Sequence, residues 1–165
     1  MLAHTNYLRD PRVRRQAEAL AEAGVEVHVI ALSERGASGT FEPRHAVVKG
    51  VELHRLPVIR KRGSRVRYVL EYFATGVLGA LALTRLRLRG RLDVVHVHNM
   101  PDLLVFAALV PWLSGSTVIL DVHDPMPELY QSWDQGASNR LLVALLALQE
   151  KLSCAFADRV FSVND

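Results

Sequence analysis

The chain has 165 residues, half of them hydrophobic, which suits one α/β-sized domain with a sizeable core and excludes a disordered or low-complexity protein. The formal net charge of +3 hides an asymmetry: residues 1–91 carry 17 Lys+Arg against 8 Asp+Glu, and residues 92–165 carry 3 against 9. An acidic second half speaks against nucleic acid as a partner, and a basic first half fits a phosphorylated ligand or an anionic membrane surface.

In chain order, Asp10-Pro11 opens a helix with a favoured N-cap and proline at the first helical position. Val13, Ala17, Leu20 and Ala21 form its apolar stripe, and Gly24 ends it. Residues 25–32 read as a buried strand, residues 33–44 as a loop, and residues 51–56 as a second strand stopped by Pro57. A basic segment, residues 60–67, precedes a long apolar helix over about residues 66–88. Then come a strand over residues 93–98, a helix over about residues 101–113 kinked at Pro111, and a strand over residues 117–122. A Pro-rich loop, a helix over about residues 139–156 and a strand over residues 159–163 complete the pattern.

Strands alternating with helices, most of them continuous apolar runs, predict a doubly wound parallel sheet of Rossmann-like type covered on both faces. Only Met1-Leu2-Ala3 precede polar His4, a short run for the central first strand of such a sheet, and the last strand stops at the chain end. The expectation is a domain clipped at both ends. Cys154, the one cysteine, lies in an apolar helical context and reads as a small buried residue. No signal peptide is visible, so the expected address is cytoplasmic.

Two strands end alike. Residues 92–102 run Leu-Asp-Val-Val-His-Val-His-Asn-Met-Pro-Asp, and residues 117–128 run Thr-Val-Ile-Leu-Asp-Val-His-Asp-Pro-Met-Pro-Glu. Ligands of open parallel sheets bind beyond the carboxyl ends of the strands, so these two ends read as the floor of one cleft.

These stretches, with Arg9-Asp-Pro-Arg-Val-Arg-Arg15 near the start and Phe156-Ala-Asp-Arg-Val-Phe-Ser-Val163 near the end, resemble the N-terminal domain of family 4 glycosyltransferases of GT-B fold. The likeness spans essentially the whole chain. It implies retaining transfer of a sugar from a nucleotide-sugar donor, as co-substrate, to a glycan or lipid-linked acceptor of an envelope pathway. It implies no metal and no further cofactor. It also implies a C-terminal donor-binding domain outside this chain, so that residues 1–165 form the acceptor-side half and do not catalyse alone. Many relatives carry a Gly-Gly loop after the first strand; here residues 4–12 contain no glycine.

Within that frame His98 is expected to hydrogen-bond a sugar hydroxyl or stabilise charge near the departing group, and His123 to line the acceptor pocket beside it. His96, on the same strand face, reads as a core histidine; the spacing of His96 with His98, and of Asp121 with His123, would suit a metal, but neither offers a complete ligand set. Asn99 caps a helix or contacts acceptor; Asp102 sits in the first turn of that helix or orients an acceptor hydroxyl; Asp124 ends the second strand beside these groups. Glu128 is a first-turn dipole partner or an acceptor contact. Arg12, crowded with Arg14 and Arg15 at a helix N-terminus where cations are disfavoured, either binds a phosphate or is a surface charge balanced by Asp10 and Glu18.

The run Arg60, Lys61, Arg62, Arg65 and Arg67, followed by Tyr68, Tyr72 and Phe73, suits peripheral contact with an anionic membrane or a solvated lead-in to a core helix. The apolar stretch 68–83 contains Glu71 and is shorter than the roughly 20 residues of a membrane span. Two other function classes share these features: a sugar-nucleotide epimerase of the same architecture, and a non-enzymatic membrane-docking or relic α/β module.

Overall fold

The computed structural model describes residues 1–33, 40–58, 65–98, 102–122 and 140–162. Its strands are β1 (Val27–Leu32), β2 (His45–Val48), β3 (Val51–Leu56), β4 (Val94–His98), β5 (Thr117–Val122) and β6 (Arg159–Ser162). The helices are α1 (Pro11–Glu22), α2 (Arg65–Arg89), α3 (Leu109–Leu113) and α4 (Arg140–Phe156), with 3-10 segments at Tyr7–Arg9 and Asp102–Ala108.

The chain start supplies the central strand despite its brevity. The Leu2 N–H donates to the His96 carbonyl (2.8 Å) and the Leu2 carbonyl accepts from His98 N–H (3.0 Å). On the other side Ala3 N–H donates to Ile30 O (3.0 Å) and Ile30 N–H to Met1 O (2.9 Å). Three residues suffice because a longer neighbour flanks them on each side and takes up their backbone groups from Met1 N–H to Ala3 N–H. The half-sheets β2-β3-β1 and β4-β5-β6 thereby join through parallel bridges of Leu2 to Ile30 and Val97.

Strand order is thus β2-β3-β1, the N-terminal segment, β4-β5-β6, parallel except for β2. The antiparallel β2 lies within a stretch the sequence reading left unassigned. It forms a two-residue hairpin with β3 in which Lys49 (φ 48°) and Gly50 (φ 79°) both take the left-handed conformation. Such turns match the twist of the strands they join.

The two faces follow from the period of two along each strand. Ala3, Val27, Val29, Ala31, Val51 and Leu53 pack with α1 through Val13 and Ala17. Leu2, Ile30, Val95, Val97, Val118 and Leu120 form the second core with α2, the 3-10 segment and α4. Helix α1 starts as expected: the Asp10 carboxylate accepts from Arg12 N–H (3.1 Å), with Pro11 next. Leu20 departs from the expected stripe and is 41% exposed. Gly24 (φ 84°) ends the helix.

The helix expected over residues 101–113 is instead a 3-10 segment leading into a short α3. Pro111 cannot donate to the carbonyl four residues back, and its ring crowds that turn, which disfavours a continuous α-helix through residues 107–111. Helix α2 buries one stripe, Glu71, Thr75, Gly79 and Leu83. Its bounds match the helix expected over about residues 66–88, but the apolar stretch was judged too short for a span: among the described residues Arg67–Arg89 is long and apolar enough, by length and composition only, to cross a membrane. Here its Gly79 lies against Leu2 of the central strand.

Candidate active site

Chain winding reverses at the N-terminal segment: β1 and β3 lie to one side, and α2 carries the chain back to β4 on the other. The crevice beyond the carboxyl ends of these strands is the topological switch point, where open α/β sheets bind ligands. Two buried histidines end the strands there, His4 after the central segment and His98 at the end of β4.

His98 shares a sheet face with His96, and the two rings stack with centroids 4.5 Å apart. Strand register puts Asp121 of β5 opposite His98. The Asp121 Oδ2 lies 3.3 Å from His98 Nδ1 and 3.6 Å from His96 Nε2. Gln16, projecting from α1, donates to the same oxygen at 3.4 Å. Asp121 and His98 are both buried, so their attraction is little screened by solvent. The Asp121 carboxylate thus lies beside the His98 ring at the end of β4.

His4 belongs to the opposite face. Its Nδ1 lies 3.0 Å from Thr75 Oγ1, and the Thr75 hydroxyl donates to the Glu71 carbonyl at 2.8 Å. With the single hydroxyl proton committed, Thr75 accepts from His4 Nδ1–H, which leaves the lone pair on Nε2. The ring of Tyr72 lies 4.3 Å from that of His4, and Tyr72 O–H donates to Tyr68 Oη. Arg67 pairs with Glu71 at 3.3 Å.

The other sequence-derived candidates are distributed unevenly. Arg12 is half-exposed in the first turn of α1, with Nε 3.4 Å from Asp10 Oδ1. Burial alone would raise the Asp10 pKa, but hydrogen bonds from Arg12 and its charge outweigh this and hold it below the ordinary value. Asp102 opens the 3-10 segment and is buried, 1% exposed; its charge is felt by the Cys154 thiol on α4, whose pKa is raised by burial first and then by Glu150 and Asp102. Asn99, His123, Asp124 and Glu128 lie outside the described residues, as do Arg60, Lys61 and Arg62.

Sequence reasoning passed over His4, Gln16 and the role of Asp121. The signal for Asp121 was its position on the face shared with His123, two residues on; that for His4 was a histidine directly after the first apolar residues. Neither reveals its partner without the strand order.

The glycosyl transferase 4-like domain matches residues 10–165, nearly the whole chain. The chain belongs to that family. No curated protein matches it. The α/β architecture with its parallel sheet is that of a Rossmann-like glycosyltransferase domain, and the chain carries a glycosyltransferase role. In this glycosyltransferase-type domain, His4 and His98 stand at the carboxyl ends of the strands that flank the switch point.

Proposed function

We propose that this glycosyltransferase 4-like domain is the acceptor-side half of a retaining GT-B enzyme, which moves a sugar from a nucleotide-sugar to a glycan or lipid-linked acceptor. The observation that carries the reading is the buried His98–Asp121 pair at the carboxyl ends of β4 and β5, beside the switch point.

Asp121 and Gln16 position the His98 ring, and His98 Nε2 meets a sugar hydroxyl or the charge that develops on the departing group. His123 and Asp124, which follow β5 in sequence, complete the acceptor pocket with Asn99 and Glu128, and Asp102 orients an acceptor hydroxyl from below. Arg12 offers its guanidinium to a phosphate. A separate donor-binding domain holds the nucleotide; no metal and no resident cofactor take part, and the acceptor-side half does not turn over alone.

The domain works on the cytoplasmic side, peripheral to an anionic membrane. Val69, Leu70, Phe73 and Leu81 of α2, each more than 60% exposed, support that reading together with Arg67 and the basic run before it.

The test joins this chain to the α/β domain encoded downstream, in frame or in the next gene, and measures sugar transfer with and without acceptor. Acceptor-dependent transfer that His98→Ala and His123→Ala abolish supports the proposal. Epimerisation or hydrolysis of the nucleotide-sugar without acceptor would instead assign an epimerase. Unchanged turnover in both variants would remove these histidines from the mechanism.

A further inference from the structure

Well away from the carboxyl-end crevice, on the α2 face of the sheet, three histidines and two glutamates converge. His28 is in the first half of β1, Glu52 and His54 are in β3, and His45 starts β2. Parallel register sets His28 beside Glu52, and the antiparallel hairpin sets His45 beside His54. They line a groove of about 670 Å³ with Glu26, closed on its other side by the C-terminal turns of α2.

The distances within this cluster have a common length. His28 Nδ1 lies 3.1 Å from His54 Nε2 and 3.3 Å from Glu52 Oε2. His45 Nε2 lies 3.4 Å from Glu52 Oε2, and His54 Nε2 lies 4.0 Å from it. A tetrahedral ion about 2.05 Å from each nitrogen or oxygen ligand has ligand-to-ligand edges of about 3.3 Å. Most of the cluster already stands at that spacing.

The second ring nitrogen of His28 supplies an independent sign. Its Nε2 lies 3.1 Å from Glu26 Oε1, while Nδ1 faces His54 and Glu52. A histidine that donates one N–H to a carboxylate and offers the other nitrogen inward is the usual arrangement behind a metal ligand.

We propose that His28, Glu52 and His54 bind a divalent cation of the zinc class, with His45 as the nearest fourth donor. Two or three imidazoles with one carboxylate suit zinc, and suit magnesium or calcium poorly. The ion ties β1, β3 and β2 together across the edge of the sheet. It is a site distinct from the transferase crevice and does not depend on that assignment.

Titration of the chain with Zn²⁺ alone, followed by calorimetry and by thermal unfolding, tests this. One equivalent binds the wild-type chain and raises its Tm. His28→Ala and His54→Gln lose that binding, Glu26→Gln weakens it by about 10–100-fold, and His96→Ala keeps it. Co²⁺ in place of zinc gives a visible absorption band that disappears in the same variants. Far-UV circular dichroism verifies that each variant folds, and Glu26→Gln, remote from the core, carries the test where a ligand variant does not. Absence of zinc binding in the wild-type chain, binding that survives His28→Ala and His54→Gln, or loss through His96→Ala would each overturn the proposal.

Discussion

Gly79 of α2 lies directly over Leu2 of the central strand: a Cβ at position 79 would meet Leu2 Cδ1 at 3.0 Å and Cδ2 at 3.3 Å. The helix comes this close only because residue 79 has no side chain. Leu2 is fully buried and has backbone bonds to both neighbouring strands, so it has little room to give. Gly79→Val is expected to destabilise the fold by about 1–3 kcal/mol, the range for overpacking a filled core. Urea unfolding checks this, and Gly76→Val, with open space at its Cβ, serves as the neutral comparison.

The turn between β2 and β3 gives a smaller effect of a different kind. Gly50 has φ 79°, and an alanine Cβ there would meet only Ala21 Cβ, at an ordinary 3.5 Å. The expected cost of Gly50→Ala is therefore conformational, about 1–2 kcal/mol for a left-handed residue with a Cβ. A drop in denaturation midpoint with unchanged m-value is the expected signature.

At the crevice, Asp121→Asn keeps size and removes the charge beside His98. In the complete transferase, His98→Ala is expected to lower turnover by about 100–1,000-fold, as loss of one preorganised stabilising group does. Asp121→Asn should lower it less and shift its pH profile, because the carboxylate charge beside His98 is gone. Steady-state kinetics across pH separates the two.

The pH dependence of stability has a predicted sign at His54. Burial, and then the neighbouring charges of His28 and His45, push its pKa down to about 4, against a smaller upward pull from Glu52. The N-terminal ammonium adds a smaller push in the same direction. The unfolded state therefore takes up a proton near pH 6.5, where the folded state does not. The stability contribution of His54 is fully present above pH 6.5 and is lost as pH falls toward 4. Chelator-treated His54→Gln should lose less stability than the parent chain over that window, as read by thermal unfolding at stepped pH.

Membrane contact through α2 predicts a graded response. Phe73→Ser and Arg67→Glu should each weaken sedimentation with phosphatidylglycerol vesicles several-fold, since a basic residue near an anionic surface contributes about 1 kcal/mol. Equal weakening on neutral vesicles by Arg67→Glu would argue against an electrostatic contribution.

Local chemistry made much of the fold legible. Asp10-Pro11 and Gly24 bracket α1 because caps act within one turn, and His96 with His98 could be put on one face from the period of two. The edge strand β2 was missed because four half-exposed residues carry little apolar signal; its mark was Lys49-Gly50 between two alternating segments. The three-residue central strand has no local signature, since its neighbours define it. The pairing of His98 with Asp121, and the gathering of His28 with His54, depend on strand register between distant segments, which composition does not encode.

The manner in which Leu2 closes the sheet has a kinetic consequence. Each three-stranded half can form from contacts within its own part of the chain, whereas the seam requires residue 2 to find both residue 30 and residues 96–98. Loop-closure entropy makes such distant pairing late and slow relative to the pairings on either side. Until it is complete, β1 and β4 both present open edges of unpaired amides, the templates on which another chain can add. The seam is also the place for a cooperative sub-global opening, in which the amides of Leu2, Ala3, Ile30 and His98 exchange with solvent together.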